Sequence, residues 1–328
     1  MIEEILTNLY KIDIPLPKNP LRSLNSYLIK GSERNLIIDT GMDEKECLNA
    51  MKIGLRKLEV DLKETDFFIT HFHLDHLGLV SKLTTEESIL YFNQPDAEGI
   101  DIIKTSLFGD GMIHFTRMNG FPEDELQNIF SYHPAYPFQL DKLLPFKIME
   151  DGDMISIGDY QFQCVKTPGH TKGHVCLYES NKKILISGDH ILNDITLTIQ
   201  LRSNEWNPLK EYLASLDKVY PLEIELVLPG HKDIFRNCKE RIQELKHHHR
   251  KRGDEIFCAI ENGSENAYQV ASRISWDISY DSWDLFPVIQ KWFAIGEVIA
   301  HLKYLEEEGM IRKEKKSGKI VYSLNASS

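Results

Sequence analysis

The sequence predicts an α/β protein with a helical insertion and a C-terminal module of two helices and a β-hairpin. Three observations carry this reading. Short β-branched runs alternate with turns and helical stretches up to about residue 90 and again from about 150 to 230. Residues 95–146 break that pattern, and the chain changes character again past residue 240. The expected organisation is a first domain over 1–240, with the insertion at about 95–146 inside it, and a winged-helix-like domain over 241–328. At 328 residues, 42% hydrophobic and 27% charged, the chain falls among globular proteins and outside the disordered, collagenous and coiled-coil classes.

Runs 26–29 and 35–38 flank the turn 30–34 as a hairpin, and the second run ends in a turn at Asp39, Thr40 and Gly41. Asp43 is expected to cap a helix reaching about Glu59, and 66–70 reads as a buried strand running into a histidine-rich loop. Hairpins follow at 154–165 and 175–187, a helix at 208–220 and a buried strand at 225–228. A polar helix is expected at 239–261, and amphipathic helices at 267–274 and 295–308. Gly309 ends the last of these, and 310–324 alternates as a hairpin around Ser317, Gly318 and Lys319.

The insertion is aromatic and acidic. Residues 108–146 hold eight aromatics, from Phe108, Phe115 and Phe121 to Tyr136, Phe138 and Phe146, with prolines at 122, 134, 137 and 145. A small helical unit with its own core accounts for this, and so does a lid or wall over a neighbouring site.

The net charge of −12 is unevenly placed: from Glu240 onward 13 basic residues face 14 acidic ones, which leaves 25 against 36 before that point. The first domain therefore repels polyphosphate backbones. Five scattered cysteines with no C-x-x-C pair, Cys47, Cys164, Cys176, Cys238 and Cys258, give neither a disulfide framework nor a thiolate metal site. With no apolar stretch of spanning length and no signal-like start, the protein is expected in the cytoplasm, without a membrane partner.

Chemistry concentrates in His71, His73, Asp75 and His76, four potential ligands within six residues on a loop released from a strand end. Imidazoles and a carboxylate at this spacing suit borderline metals such as zinc. Three further turns, each following an apolar run, place one ligand type beside a glycine: His170 after Pro168 and Gly169, Asp189 after Ser187 and Gly188, and His231 after Pro229 and Gly230.

The ordered set H-x-H-x-D-H, T-P-G-H-T-x-G-H, S-G-D and P-G-H resembles the metallo-β-lactamase superfamily over roughly residues 2–240, with the turn at Asp39 as a further mark. The resemblance implies a four-layer αβ/βα sandwich with a dinuclear site at one edge. His71, His73 and His170 would hold the first metal and Asp75, His76 and His231 the second, with Asp189 as the bridge. It also implies two divalent ions as cofactors, zinc by preference.

Departures within the superfamily narrow the chemistry. A bridging Asp189 speaks against antibiotic hydrolysis as the main role, because the β-lactamases of this fold lack that residue. His73 stands where the di-iron flavoproteins carry Glu. The run 167–174 is close to glyoxalase II, but the tail is not; it looks like the C-terminal winged helix of the lactamase-beta-like subgroup, which contains endoribonucleases and thioesterases. His174 and His190, beside ligand positions, either orient ligands or simply pack. His114 and His133 are read as structural, and His247, His248 and His249 as a solvated basic face of a helix.

A metal-activated water makes the chain a hydrolase that needs no Ser or Cys nucleophile, with Asp75 and Asp189 as the residues that assist proton movement. The acidic, aromatic insertion favours a small acyl substrate, an ester, thioester or lactone. The basic hairpin, with Arg312, Lys313, Lys315, Lys316 and Lys319 against Glu314, keeps single-stranded RNA as the alternative. It is equally accounted for as a solvated edge, and a homodimer is a further use for the C-terminal module. Acidic Glu297 and Glu306 to Glu308 on the last helix argue against groove binding.

Overall fold

A computed structural model describes residues 1–17, 19–106, 110–132, 145–201, 206–277 and 280–325, without the side chains of 101–106, 110 and 128–132. Its elements run β1 (Ile2–Leu6), β2 (Leu9–Pro15), β3 (Ser23–Lys30), β4 (Asn35–Ile38), α1 (Lys45–Lys57), β5 (Thr65–Phe68), α2 (Leu74–Leu77), α3 (Val80–Leu83) and β6 (Leu90–Phe92). There follow α4 (Gln94–Ser106), α5 (Asp110–Met118), α6 (Glu123–Tyr132), β7 (Phe146–Ile148), β8 (Met154–Ile157), β9 (Tyr160–Lys166), β10 (Val175–Glu179) and β11 (Ile184–Gly188). The chain ends with α7 (Pro208–Val219), β12 (Leu226–Pro229), α8 (Cys238–Glu261), α9 (Ala267–Ala271), α10 (Val288–Glu307), β13 (Ile311–Lys316) and β14 (Lys319–Leu324).

Two compact units divide the chain. The first holds residues 1–101, 138–197 and 215–242, and the second 102–137, 198–214 and 243–328. In the first, β1 to β7 form one sheet in sequence order, antiparallel as far as β4 and parallel from β4 to β7. The other sheet has the order β12-β11-β10-β9-β8, antiparallel except where β11 meets β12. The strands alternate inward and outward side chains, so the seven-stranded sheet contributes to two cores. Leu9, Tyr27, Ile29, Leu36, Ile38 and Phe68 of the seven-stranded sheet pack with Ile155, Phe162, Leu177 and Ile186 of the five-stranded one. The opposite face of the seven-stranded sheet, with Ile12, Leu28, Ile37 and Phe67, is covered by Cys47, Met51 and Leu55 of α1 and by Leu77 and Val80. Beside the five-stranded sheet, Ser215 near the end of α7 donates to the Pro168 carbonyl, and Arg241 at the start of α8 donates to the carbonyls of Leu192 and Ile195. This is the metallo-β-lactamase fold, with a helical C-terminal region added.

Every hairpin expected from the sequence is present, including β13–β14, where Ser317 and Gly318 both take positive φ, as a two-residue hairpin turn demands. Some details differ. Asp43 does not cap α1: its N-cap is Glu44, with no side-chain bond, and Asp43 pairs with Lys82 instead. Helix α10 begins at Val288, seven residues before the expected start, because Val288, Ile289, Trp292 and Phe293 already face the second unit's core.

The second unit departs most from expectation. The described part of the insertion is helical, but it has no core of its own. Phe115, Phe121 and Leu126 join Ile256, Val270, Trp292, Val298, Leu302 and Tyr322 in one cluster. The contacts thus divide the chain otherwise than a single cut at residue 240. Asn119 accepts from the Tyr268 backbone through its carbonyl, and a Cβ on Gly120 (φ +96°) would meet Asn266 Oδ1 at 2.4 Å. Phe108, His133, Tyr136 and Phe138 lie outside the described residues, and nothing is described of the Phe130 and Tyr132 side chains; His114 is exposed.

Histidines 247–249 do not form a solvated face. Helix α8 turns Leu245, His249, Arg252 and Ile256 inward at helical spacing, and His249 is buried with its Nδ1 3.2 Å from His301 Nε2. Glu297 is likewise buried, 3.3 Å from the Arg252 guanidinium, so its charge is not presented to a groove. Four cysteines are buried, Cys258 is exposed, and none is in a disulfide. Among the described residues no helix is long and apolar enough to cross a membrane.

Candidate metal centre

The seven residues singled out by the sequence come from four loops at one end of the two sheets, and the structure brings all of them together. Three overlapping groups have ligand atoms within 4.8 Å of one another: His71, His73 and His170; His71, His76 and Asp189; Asp75, His76 and His231. The loop after β5 supplies the first four, its last two as part of α2, a single turn of helix. His170 follows β9, Asp189 follows β11 and His231 follows β12.

Ligand orientation is imposed from behind. Asp39, with φ +56° at the end of β4, accepts from the Thr70 backbone through Oδ1 at 2.9 Å. Its Oδ2 receives the Thr70 hydroxyl at 2.9 Å and His76 Nδ1 at 2.7 Å. The Thr70 hydroxyl has one proton and gives it to Asp39, so at 3.0 Å it accepts from His71 Nδ1. His231 Nδ1 is 2.7 Å from the Ser23 carbonyl, which can only accept. In each of these three imidazoles Nδ1 donates away from the centre, so Nε2 is the nitrogen aimed at it.

That arrangement suits a cation. His76 Nε2 and His231 Nε2 face each other at 3.3 Å, and His170 Nε2 lies 2.9 Å from His73 Nδ1. His71 Nε2 and Asp189 Oδ1 are buried without a hydrogen-bond partner. Facing lone pairs repel unless a positive charge sits among them. Asp189 reaches both sides: Oδ1 is 3.5 Å from both His76 Nε2 and His231 Nε2, and Oδ2 is 3.7 Å from His170 Nε2. Asp75 Oδ2 is 3.4 Å from His231 Nε2.

The electrostatics agree. Burial disfavours the charged form of His76, but Asp39 and Asp189 outweigh it and raise its pKa well above the usual imidazole range. His231 moves up for the same reason, through Asp189 and Asp75. Burial and the surrounding imidazoles push His71 well down, and His170 down to about 3. Burial opposes the charge on Asp189, yet His231 and His76 hold its carboxyl well below the ordinary range. His71 and His170 are therefore neutral and the carboxylates ionised, while the charges of Asp39, Asp75 and Asp189 favour a proton on His76 and His231 whose place a divalent ion would take.

A model of the metallo-beta-lactamase superfamily matches residues 20–231. The chain belongs to that superfamily. As one of its metal-dependent hydrolases it resembles an acyl-coenzyme A thioesterase from Homo sapiens, 26% identical over 224 residues, which span 64% of this chain and 74% of that protein. A probable metallo-hydrolase from Bacillus subtilis is 25% identical over 300 residues, 87% of this chain and 88% of the relative. The fold extends to a metallo-beta-lactamase family protein of Thermus thermophilus, with TM-score 0.79 at 23% identity over 98% of this chain and 100% of that one.

His174 is buried, and its Nε2 accepts from the Asp189 backbone at 3.1 Å while its Nδ1 meets the Thr167 hydroxyl at 2.8 Å, so it holds the Asp189 turn. His190 is buried beside it, ring centroids 6.1 Å apart. Sequence reasoning saw Asp39 only as part of a turn; its carboxylate in fact orients imidazoles of all three ligand groups.

Proposed function

We propose that this chain is a dinuclear metallo-hydrolase that cleaves an acyl thioester. The observation that carries the reading is the convergence of seven donors into three groups, with His71 and His76 each belonging to two of them. His71, His73 and His170 would hold the first ion and Asp75, His76 and His231 the second, with Asp189 shared between the two sets. Zinc is the preferred metal on donor type: imidazole nitrogen with carboxylate oxygen. When bound, two such ions supply an activated water and an electrophile for the scissile carbonyl.

The chain's own residues do the rest. Asp75 is the least buried of the carboxylates here, its side chain 17% exposed, and it is held ionised by His231 against the cost of burial. We assign it the proton of the attacking water, which it would return to the leaving thiolate. Asp189 keeps the two ligand sets at fixed separation and shares in that proton movement. The thioester preference rests on likeness to a human acyl-coenzyme A thioesterase, while the acidic first domain weighs only against a long strand such as RNA.

A second reading is kept for one observation. Arg312, Lys315, Lys316 and Lys319 are exposed on the β13–β14 hairpin against Glu314, and α9, α10 and that hairpin have the order of a winged helix. A ribonuclease would use such a hairpin for phosphates. Acyl-coenzyme A thioesters and unstructured single-stranded RNA assayed in parallel on zinc-loaded protein separate the two. Thioester hydrolysis with little salt dependence supports the proposal; steeply salt-sensitive RNA cleavage, abolished by neutralising those four cations, overturns it.

A further inference from the structure

Asp96, which the chemistry above does not use, lies near the start of α4 with no solvent exposure. A wholly buried carboxylate is costly unless its oxygens meet donors, and a carboxamide would cost less at a site where only one or two donors were available. Asp96 has three. Oδ2 accepts from the Phe72 backbone at 3.0 Å and from the Thr171 hydroxyl at 2.8 Å, and Oδ1 accepts from the Gly173 backbone at 2.7 Å. Phe72 stands between His71 and His73, Thr171 follows His170, and Gly173 closes the same turn. One carboxylate thus ties the two loops that carry the whole group His71, His73 and His170.

The tie is itself braced. Asn93 Oδ1 accepts the Asp96 backbone N–H at 3.0 Å, which fixes the helix start from which Asp96 projects. The turn at Gly173 is so close that a Cβ there would sit 1.6 Å from Asn93 Oδ1 and 2.7 Å from the Asp96 nitrogen. Burial pushes the Asp96 carboxyl up to about 7, with the donors from Thr171, Gly173 and Phe72 pulling the other way. The two other groups are held by different anchors: His76 by Asp39 and His231 by the Ser23 carbonyl.

We propose that Asp96 is the positioning residue of the first metal site, setting His73 and His170 at coordinating distance by binding the backbone of both their loops, while the second site is set without it. This rests on the dinuclear reading above. The Asn variant replaces one acceptor oxygen with an NH2 group that faces N–H or O–H donors, so Asp96→Asn breaks the tie with almost no change of volume.

Zinc titration of chelated, metal-free protein tests this, with affinity for each equivalent as the readout. Wild type binding two equivalents is the condition of the dinuclear reading; a wild type that binds none overturns that reading, whatever Asp96 does. Given two, Asp96→Asn is expected to weaken one equivalent by about 10- to 100-fold and leave the other near wild type, the size usual for groups that orient metal ligands. Thr171→Val is expected to shift the same equivalent in the same direction, and Thr171→Ser, which keeps the hydroxyl, to restore it; this pair keeps the test decisive if Asp96→Asn fails to fold. Asp66→Asn is the control for burial alone: Asp66 is buried and bound to Arg34 and the Ile89 backbone away from the centre, so both zinc affinities should stay at wild-type values. Folded Asp96→Asn with both affinities unchanged, or with both reduced alike, overturns the proposal, as does Thr171→Val binding like Thr171→Ser.

Discussion

Asp39 Oδ2 lies 2.7 Å from His76 Nδ1, and the same oxygen takes the Thr70 hydroxyl that in turn meets His71. One carboxylate thereby fixes the tautomer of an imidazole in each of the three ligand groups. Replacing Asp39 with Asn tests that relationship cleanly, because Asn tolerates the left-handed backbone that Asp39 adopts. Asp39→Asn is expected to weaken zinc binding by about 10- to 100-fold and to lower kcat/KM with it. Isothermal titration of metal-free protein checks the affinity; wild-type binding by a folded variant would remove Asp39 from the orienting role.

Asp189 is the point at which the two ligand sets meet. Its backbone N–H still donates to His174 when the side chain changes, so Asp189→Asn preserves the turn and removes the charge. Turnover should fall by at least about 100-fold and bound metal should drop below two equivalents, while the melting temperature of the metal-free variant stays close to that of the metal-free wild type. Full metal content with ordinary turnover would refute the bridging assignment.

The centre was largely legible in the sequence because its ligands are packed into short runs and set off by glycine turns: four of seven lie between His71 and His76, and the rest follow Gly169, Gly188 and Gly230. What supports them was not. Asn93 and Asp96 carry no mark in the sequence, and nothing local says that the carboxylate turns back to two distant loops. His249 and Arg252 escaped for a related reason. The buried face of α8 carries polar side chains among Leu245 and Ile256, so hydrophobic periodicity does not mark it. The insertion's aromatics were visible, but which partner they pack on is a tertiary fact.

That partner gives a third prediction. Phe121 is 3% exposed and packs edge-on to Tyr268 at 5.8 Å, inside a core shared by the insertion and the C-terminal helices. Phe121→Ala should destabilise the second unit by about 3–5 kcal/mol, the usual cost of emptying a buried aromatic site. Metal content should stay at the wild-type level, since all seven ligands belong to the first unit. Denaturant unfolding followed by tryptophan fluorescence reports the second unit, where Trp276, Trp283 and Trp292 pack on this core. A changed KM with unaltered stability would instead make Phe121 part of a substrate wall.

The second unit should also lose stability in acid, through groups that are none of the seven candidate ligands. Burial pushes His301 down to about 3 and His249 well below the ordinary imidazole range, with neighbouring histidines and Arg252 adding to the effect. The unfolded chain therefore takes up protons there from about pH 6.5 downward while the folded one does not, so this stability is complete above about pH 6.5 and is lost as pH falls toward about 3. Glu297 acts in the opposite sense. Burial raises its carboxyl to about 7 despite Arg252, so between about pH 4.5 and 7 the folded state holds a proton that the unfolded chain releases. Two histidines against one carboxyl leave roughly one extra proton on the unfolded state between about pH 6.5 and 4.5, a loss of about 1.4 kcal/mol per pH unit. His301→Gln should flatten that slope by about one proton's worth and Glu297→Gln should steepen it by as much. Denaturant midpoints measured on metal-free protein at about pH 7.5, 6.0 and 5.0 give the slopes, and comparing variants with wild type cancels the titration of the ligand histidines. Parallel slopes for all three proteins would show that this buried network does not set the acid limit.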